Sequence, residues 1–451
     1  MHKNWARSGP ACQNLPVKIR VQNPMNKPNL TGSPLPTDLQ SISELLHPAG
    51  NQTVGKFDGL ILRSHFQPIF SVAHSRAVGF EGLMRPSDVS GNALAPFDAF
   101  GRDFHRVLTV DRLASAVHLH NFQDLKADGW LFLNMNTEVF LGSANDGNFL
   151  TELLRATDFS PHRVVIEILE QGVKNELQLC EAVEFFRKEG YLIALDDFGA
   201  GHSNFDRVWN LQPDIVKLDR SMITQAGNNV RIRRMMPVMV SLLHEVGSLV
   251  LMEGIETAGE ALMAMDADAD FVQGHYFAEP AQSLPAVEKS RALFDQLWID
   301  FREVTLPEVS YHRREVGPYL NGIGYAASMI ESGIPLAHAA SGFLDLPGAE
   351  RCYMLDSEGR QIGDNIVNPR QIAVADRRYG PLANAQGANW SRRFYFRRAL
   401  EHPGRVQVTR PYLSIAGANQ CITVSIGSLV DGEMRVLCGD VSWRDRGAVK
   451  R

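Results

Sequence analysis

Short apolar runs bounded by polar residues recur between about residues 60 and 285: SHFQPIF (64–70), AVGFEGLM (77–84), LFLNMN (131–136), VVIEIL (164–169), YLIALDDF (191–198), DIVKLD (214–219), SLVLMEGI (248–255) and FVQGHYF (271–277). Their length and β-branched or aromatic content predict strands. Amphipathic stretches between the later ones, Leu177–Glu189, Ile232–Val246 and Ala258–Ala264, predict helices. Strand–helix alternation indicates βα units and a parallel sheet. Eight such strands in about 220 residues suggest a closed TIM (β/α)8 barrel. Only the short segment Ser71–Arg76 separates the first two runs. A parallel crossover needs about a dozen residues or more, so the first strand is predicted to be antiparallel to the second.

Outside this region the texture changes. Residues 1–55 are rich in Pro, Asn, Ser and Gly and read as a mostly disordered N-terminal arm, in which Asp38–Leu46 alone could form a short helix. The barrel is placed at 56–285. Residues 286–345 read as a helical connector broken into pieces by Pro307, Pro318 and Pro335. Residues 346–451 read as a small α+β domain with an antiparallel sheet, from runs such as RVQVTRPYLS, CITVSIGSLV and RVLCGDVSW.

Composition narrows the function classes. With 45 basic and 51 acidic residues the net charge is −6, which argues against DNA or anionic membrane as a partner. No run approaches the ~20 apolar residues of a spanning helix, and the N-terminus lacks the apolar stretch of a secretory signal. The five cysteines are scattered without CxxC spacing and read as reduced thiols of a cytoplasmic protein.

Function in a barrel gathers at the C-terminal ends of the strands. The polar residues there are Glu81, Asn134, Glu167, Asp196 with Asp197, Lys217, Glu253 and Gln273, each embedded in or ending an otherwise apolar run. A ring of five buried carboxylates needs cations or a lysine to be tolerable. Hard oxygen donors with one amide suit Mg²⁺ or Mn²⁺. Two such ions about 4 Å apart would serve an in-line displacement at phosphorus. Lys217 could hold the attacking water and Glu253 take its proton.

These residues also carry a family resemblance. EGLMR (81–85) resembles the signature of EAL-domain cyclic di-GMP phosphodiesterases, with Gly82 at the name-giving alanine. The similarity continues through FQPI (66–69), LNMN (133–136), IEILE (166–170), DDFGAGHS (196–203), PDIVKLD (213–219), EGIET (253–257) and QGHYFAEP (273–280). The resemblance implies a barrel with an antiparallel first strand that hydrolyses cyclic di-GMP to linear pGpG. It implies metal ligation by Glu81, Asn134, Glu167, Asp196 and Asp197. Lys217 would align the water and Glu253 would act as base. Arg85, Gln67 and Gln273 would contact substrate, and Glu170 and Glu256 would support the site loops. A homodimer formed near Met222–Met236 is implied in the same way. Gly82, Pro86 and His202 depart from the common pattern, and none of them removes a carboxylate or the lysine. Degenerate relatives that bind the nucleotide without cleaving it usually lack one of these groups, which leaves a weakly active receptor as the alternative.

The C-terminal domain is weakly similar to PAS/Cache-type sensor folds over NWSRRFYFRRA (389–399), TRPYLS (409–414), CITVSIG (421–427) and VLCGDVSW (436–443). That resemblance implies a small-molecule ligand near Arg393, Tyr395, Tyr412 and Asp440, and modulation of the barrel. The same residues could instead pack a structural or dimerising domain.

Overall fold

In the computed structural model all eight apolar runs become strands of one closed barrel. The residues described are 35–143, 148–169, 175–201, 205–283, 287–368, 385–414 and 420–443, with backbone alone for 287–289 and 304–313. They divide into two units that meet in sequence at Glu303/Val304.

The first unit begins with a hairpin, β1 (Leu46–Ala49) and β2 (Gln52–Phe57). The barrel follows as β3 (Leu60–Ser71), β4 (Arg76–Asp88), β5 (Trp130–Asn134), β6 (Val164–Leu169), β7 (Leu192–Phe198), β8 (Ile215–Leu218), β9 (Leu249–Met252) and β10 (Phe271–Val272). Strands β4 to β10 are parallel to their successive neighbours, and β3 closes the ring antiparallel to both β4 and β10. The turn between β3 and β4 brings Ser71 opposite Arg76, as the short spacing predicted.

One apolar layer plugs the barrel. Ile69, Phe132, Val165, Ala194, Ile215, Leu251 and Phe271, from seven different strands, form a single buried cluster. The remaining strand, β4, contributes Gly79, where a Cβ would lie 2.7 Å from the Phe132 ring, so the neighbouring phenyl fills that share of the interior. Side chains two apart on a strand share a face. The next inward position on each parallel strand is therefore Glu81, Asn134, Glu167, Asp196, Lys217, Glu253 and Gln273. On β3, which runs the other way, it is Gln67. The second face of the strands packs under the surrounding helices, among them Phe104–Asp124, Glu176–Lys188 and Val230–Val246.

Two sequence expectations need correction. Residues 46–57 are ordered structure rather than part of a disordered arm, the β1–β2 hairpin adding to β3, while the short helix expected within Asp38–Leu46 forms at Leu39–Ser43 with Asp38 as its cap. Each of these elements buries only one or two side chains, Ile42, Val54 and Phe57, too few to show a period. Tertiary contacts hold them, since Asn121 accepts from Thr53 N and donates to Thr53 O, both at 2.8 Å. Residues 1–34 of the arm lie outside the described residues. The second correction concerns Val287–Glu331, which is one continuous helix of 45 residues that Pro307 and Pro318 do not interrupt. A proline inside a helix costs about 3 kcal/mol, and burial of Val316, Ile323, Ala326, Ala327 and Ile330 offsets it. Pro335 does mark a break, standing as N-cap of the next short helix.

The second unit is an antiparallel sheet of β11 (Ala349–Leu355), β12 (Gln361–Val367), β13 (Gln407–Val408), β14 (Tyr412–Leu413), β15 (Gln420–Val430) and β16 (Glu433–Ser442), in the order β12-β11-β16-β15-β13 with β14 also on β15. Alternation along β11 serves two cores. Cys352 and Met354 pack with Ile323, Ala327 and Phe343, while Tyr353 and Leu355 pack with Tyr395, Phe396 and Ala399 of the helix Phe394–Glu401. Among the described residues no helix is long and apolar enough to cross a membrane.

Candidate active site

The polar layer above the plug is centred on Lys217, which is 1% exposed. Its ammonium lies 2.6 Å from Glu167 Oε1, 2.8 Å from Glu253 Oε1, 3.0 Å from Asp196 Oδ1 and 3.9 Å from Glu81 Oε1. Asn134 Nδ2 donates to Glu81 Oε1 at 2.9 Å, and Gln273 Nε2 donates to Glu81 Oε2 at 2.8 Å. Gln67 is tied down beside them: its Oε1 accepts from Gln273 at 3.2 Å, and its Nε2 donates to Ala278 O at 3.1 Å. Seven of the residues expected at the site thus meet Lys217 in one network.

Its electrostatics follow from one cation among four carboxylates. Burial opposes the charge on Lys217, but Glu167, Glu253, Glu81 and Asp196 together hold its pKa well above the ordinary lysine value. Burial and the neighbouring Glu81 push Glu167 well above the carboxylate range, with Lys217 opposing. Burial raises Glu253 to about 8 against the pull of Lys217. For Glu81 burial is outweighed by Lys217 and by the hydrogen bonds from Asn134 and Gln273, so its carboxyl stays below the usual value. Of the three glutamates, the most readily ionised is therefore the one fixed by both amides.

The end of β7 carries the paired aspartates. Asp197 N donates to Asp196 Oδ1 at 2.9 Å, and Asp197 itself takes a left-handed φ of 56°. Gly199 has a φ of 99°, and a Cβ there would fall 2.0 Å from Met222 Sδ, so glycine is required on both counts. Arg85 stands higher on β4, where Nη1 donates to Met84 O at 3.1 Å; burial lowers its pKa and Glu81 opposes the shift. Glu256 lies at the rim and pairs with Arg220 at 2.6 Å. Glu170 and His202 lie outside the described residues.

A cavity of about 420 Å³, open to solvent, adjoins this layer and is lined by Gln67, Glu81, Arg220, Glu253, Glu256, Gln273 and His275, among others. Arg220 and His275 were not singled out in the sequence. Their signal was position alone, since Arg220 directly follows the KLD run and His275 lies inside QGHYF.

The donor set fits divalent metal. Glu167 Oε2 and Gln273 Oε1 are buried without a hydrogen-bond partner. Four carboxylates against one lysine leave an excess of negative charge, which hard cations compensate through oxygen. As they stand, no three acidic, histidine or cysteine side chains among the described residues already converge on a single metal position, because the lysine ammonium occupies the centre.

Comparison with known proteins decides the family. The profile described as "EAL domain" matches residues 60–280. Residues 60–280 form an EAL domain. The chain is 26% identical over 349 residues to the uncharacterized EAL-domain containing protein YkuI of Bacillus subtilis (strain 168), covering 74% of this chain and 82% of YkuI. It is 24% identical over 223 residues to the probable cyclic di-GMP phosphodiesterase PdeB of Escherichia coli (strain K12), covering 48% of this chain and 42% of that protein. The crystal structure of YkuI, in complex with substrate c-di-GMP and calcium, superposes with a TM-score of 0.70 at 22% identity, covering 85% of this chain and 96% of YkuI. The shared fold therefore extends beyond the EAL domain into the C-terminal unit.

Proposed function

We propose that the EAL domain hydrolyses cyclic di-GMP to linear pGpG with the help of two Mg²⁺ or Mn²⁺ ions. The observation that carries this reading is the ring of Glu81, Glu167, Asp196 and Glu253 around Lys217 at the C-terminal mouth of the barrel. Relatives described as probable cyclic di-GMP phosphodiesterases support the choice of substrate. Glu81, Asn134, Glu167, Asp196 and Asp197 would hold the metal ions, which supply Lewis-acid polarisation of the phosphoryl oxygens and a more acidic water. Lys217 orients that water, and Glu253 at the edge of the cavity accepts its proton. The water oxygen bonds to phosphorus as one P–O ester bond breaks in line with it, and the leaving 3′ oxygen takes up the proton that Glu253 accepted. Arg85, Gln67 and Gln273 bind and orient the nucleotide at the mouth, and Glu170 and Glu256 hold the adjoining loops. Arg220 fixes Glu256 across the rim.

The same reading includes a homodimer, supported by exposed Val230, Met235, Val238 and Leu242 on the helix Val230–Val246, and modulation by the C-terminal unit. Incubation of the full chain with cyclic di-GMP and Mn²⁺, followed by chromatography for pGpG, tests the assignment. Nucleotide binding without product would leave the receptor reading in its place, and no binding at all would reject both.

A further inference from the structure

One buried carboxylate plays no part in the chemistry proposed above. Asp111 lies in the helix Phe104–Asp124 among the buried residues Val107, Val110 and Leu113, and is itself 4% exposed. Aspartate is a poor residue for a helix interior and a costly one to bury. Burial raises its carboxyl to about 7, with the hydrogen bond from Asn136 N and the neighbouring Arg112 opposing the shift. Charged or protonated, the group keeps an oxygen that accepts from that amide.

The Asn136 amide sits at a bend next to the polar layer. Strand β5 ends at Asn134, the chain turns through Met135 and Asn136, and the helix Thr137–Ser143 begins at once. Three hydrogen bonds shape the bend. Met135 N donates to Glu167 O at 3.2 Å, Asn136 N donates to Asp111 Oδ1 at 2.8 Å, and Glu138 N donates to Asn136 Oδ1 at 3.0 Å. The first ties the bend to β6 and the third closes it on itself. Of the three, only the bond to Asp111 reaches the surrounding layer of helices.

Asn134 depends on this frame. Glu167 and Lys217 are buried and packed in place. Asn134 is exposed, and its side chain is held by donation to Glu81 Oε1 at 2.9 Å. With little packing of its own, it takes its direction from the backbone that carries it.

We propose that Asp111 is a positioning residue for Asn134: by fixing the Asn136 amide it aims the Asn134 side chain at the metal site beside Glu81. The inference rests on the metal ligation proposed above, and it acts through the backbone rather than through contact with metal or nucleotide. Groups that orient a metal ligand typically contribute about 10–100-fold to metal affinity.

Titration calorimetry of the full chain with Mn²⁺, in the absence of nucleotide, tests it. Asp111→Ala should weaken binding about tenfold. Asp111→Asn keeps an acceptor oxygen at the same reach and should bind close to the wild type. Asp111→Ser draws the polar atom back by one bond, should weaken binding as alanine does, and decides the matter if Asp111→Ala unfolds. Asn121→Ala is the control for stability alone. It removes the hydrogen bonds that the same helix makes to Thr53, and should lower the melting temperature with Mn²⁺ affinity unchanged. In turnover, Asp111→Ala should raise the Mn²⁺ concentration for half-maximal rate about tenfold and leave the KM for cyclic di-GMP at saturating Mn²⁺ unaltered. Wild-type affinity in folded Asp111→Ala or Asp111→Ser, or an equal loss in Asp111→Asn or Asn121→Ala, would overturn the inference. The expected Mn²⁺ series with no pGpG from the wild type would reject the proposed reaction and leave the inference standing, and no Mn²⁺ binding by the wild type would reject both.

Discussion

Restoring the alanine that gives the EAL family its name should harm this protein, and the reason is one histidine. Gly82 has an ordinary negative φ, so Gly82→Ala meets no backbone strain. A Cβ there would lie 3.0 Å from His118 Cγ, 3.2 Å from Cδ2 and 3.3 Å from Cβ. His118 cannot readily retreat, because it is buried and its Nδ1 hydrogen-bonds Ser64 Oγ at 2.8 Å, with Asn121 Nδ2 donating to the same oxygen at 3.2 Å. Overpacking of this kind costs about 1–3 kcal/mol. Alanine recovers about 0.4–1 kcal/mol by restricting the unfolded chain. The net expectation is a loss of roughly 0.5–2 kcal/mol. In a His118→Ala background the clash disappears, so the same change should turn stabilising by about 0.4–1 kcal/mol. Urea unfolding of the four proteins of this cycle, read as shifts in midpoint at constant slope, measures both terms. Stabilisation by Gly82→Ala in the presence of His118, or an equal effect in both backgrounds, refutes the packing argument.

Glu253→Gln should lower pGpG formation about 10²–10⁴-fold with the circular dichroism spectrum unchanged; near-normal turnover would remove Glu253 from the proposed mechanism. Lys217→Ala should abolish turnover and also cost about 3–5 kcal/mol of stability, because it strands buried carboxylates; a fully active variant would contradict the central role of the lysine. Since Glu253 in the metal-free protein is raised to about 8, Mn²⁺ binding at neutral pH should release protons and tighten as pH rises toward 8, and calorimetric heats independent of buffer ionisation would disprove this. Burial pushes His118 down to about 3 from an ordinary 6.5. The unfolded chain therefore binds the extra proton first, and stability should be full above about 6.5 and fall as pH drops toward 3, by up to about 1.4 kcal/mol per pH unit. The stability difference between wild type and His118→Asn should shrink across that window, and a pH-independent difference would show that the residue is not buried neutral.

The barrel was legible because its strands announce themselves twice, as apolar runs and as runs that end in charge. Glu167 inside VVIEIL and Lys217 inside DIVKLD are costly to bury without purpose, and the two-residue strand period carries both to one mouth. The antiparallel β3 followed from the shortness of the 71–76 connection. The β1–β2 hairpin was not legible, since Val54 and Phe57 gain their burial from partners distant in sequence. Nor was the helix through Pro307 and Pro318, where a local rule about proline yields to packing elsewhere along the element. The Arg220–Glu256 pair was missed because only the fold brings the end of one βα unit against the next.

The reversed first strand has a metrical consequence. Strand β4 pairs with β5 only as far as Gly82, while its ladder with β3 continues to Asp88. The stretch from Leu83 to Asp88 therefore stands above the barrel rim on a ladder with Leu60 to His65, which the β1–β2 hairpin widens on its far edge. Glu81 and Arg85 lie on one uninterrupted strand, on the same face and four residues apart, which at about 3.3 Å per residue sets them about 13 Å from each other. In most barrels such a span crosses a loop and can stretch; here it is a ruler made of paired backbone. A single residue inserted between 81 and 85 would lengthen it and turn the arginine to the opposite face, so the size of molecule that can touch both ends is written into the ladder itself.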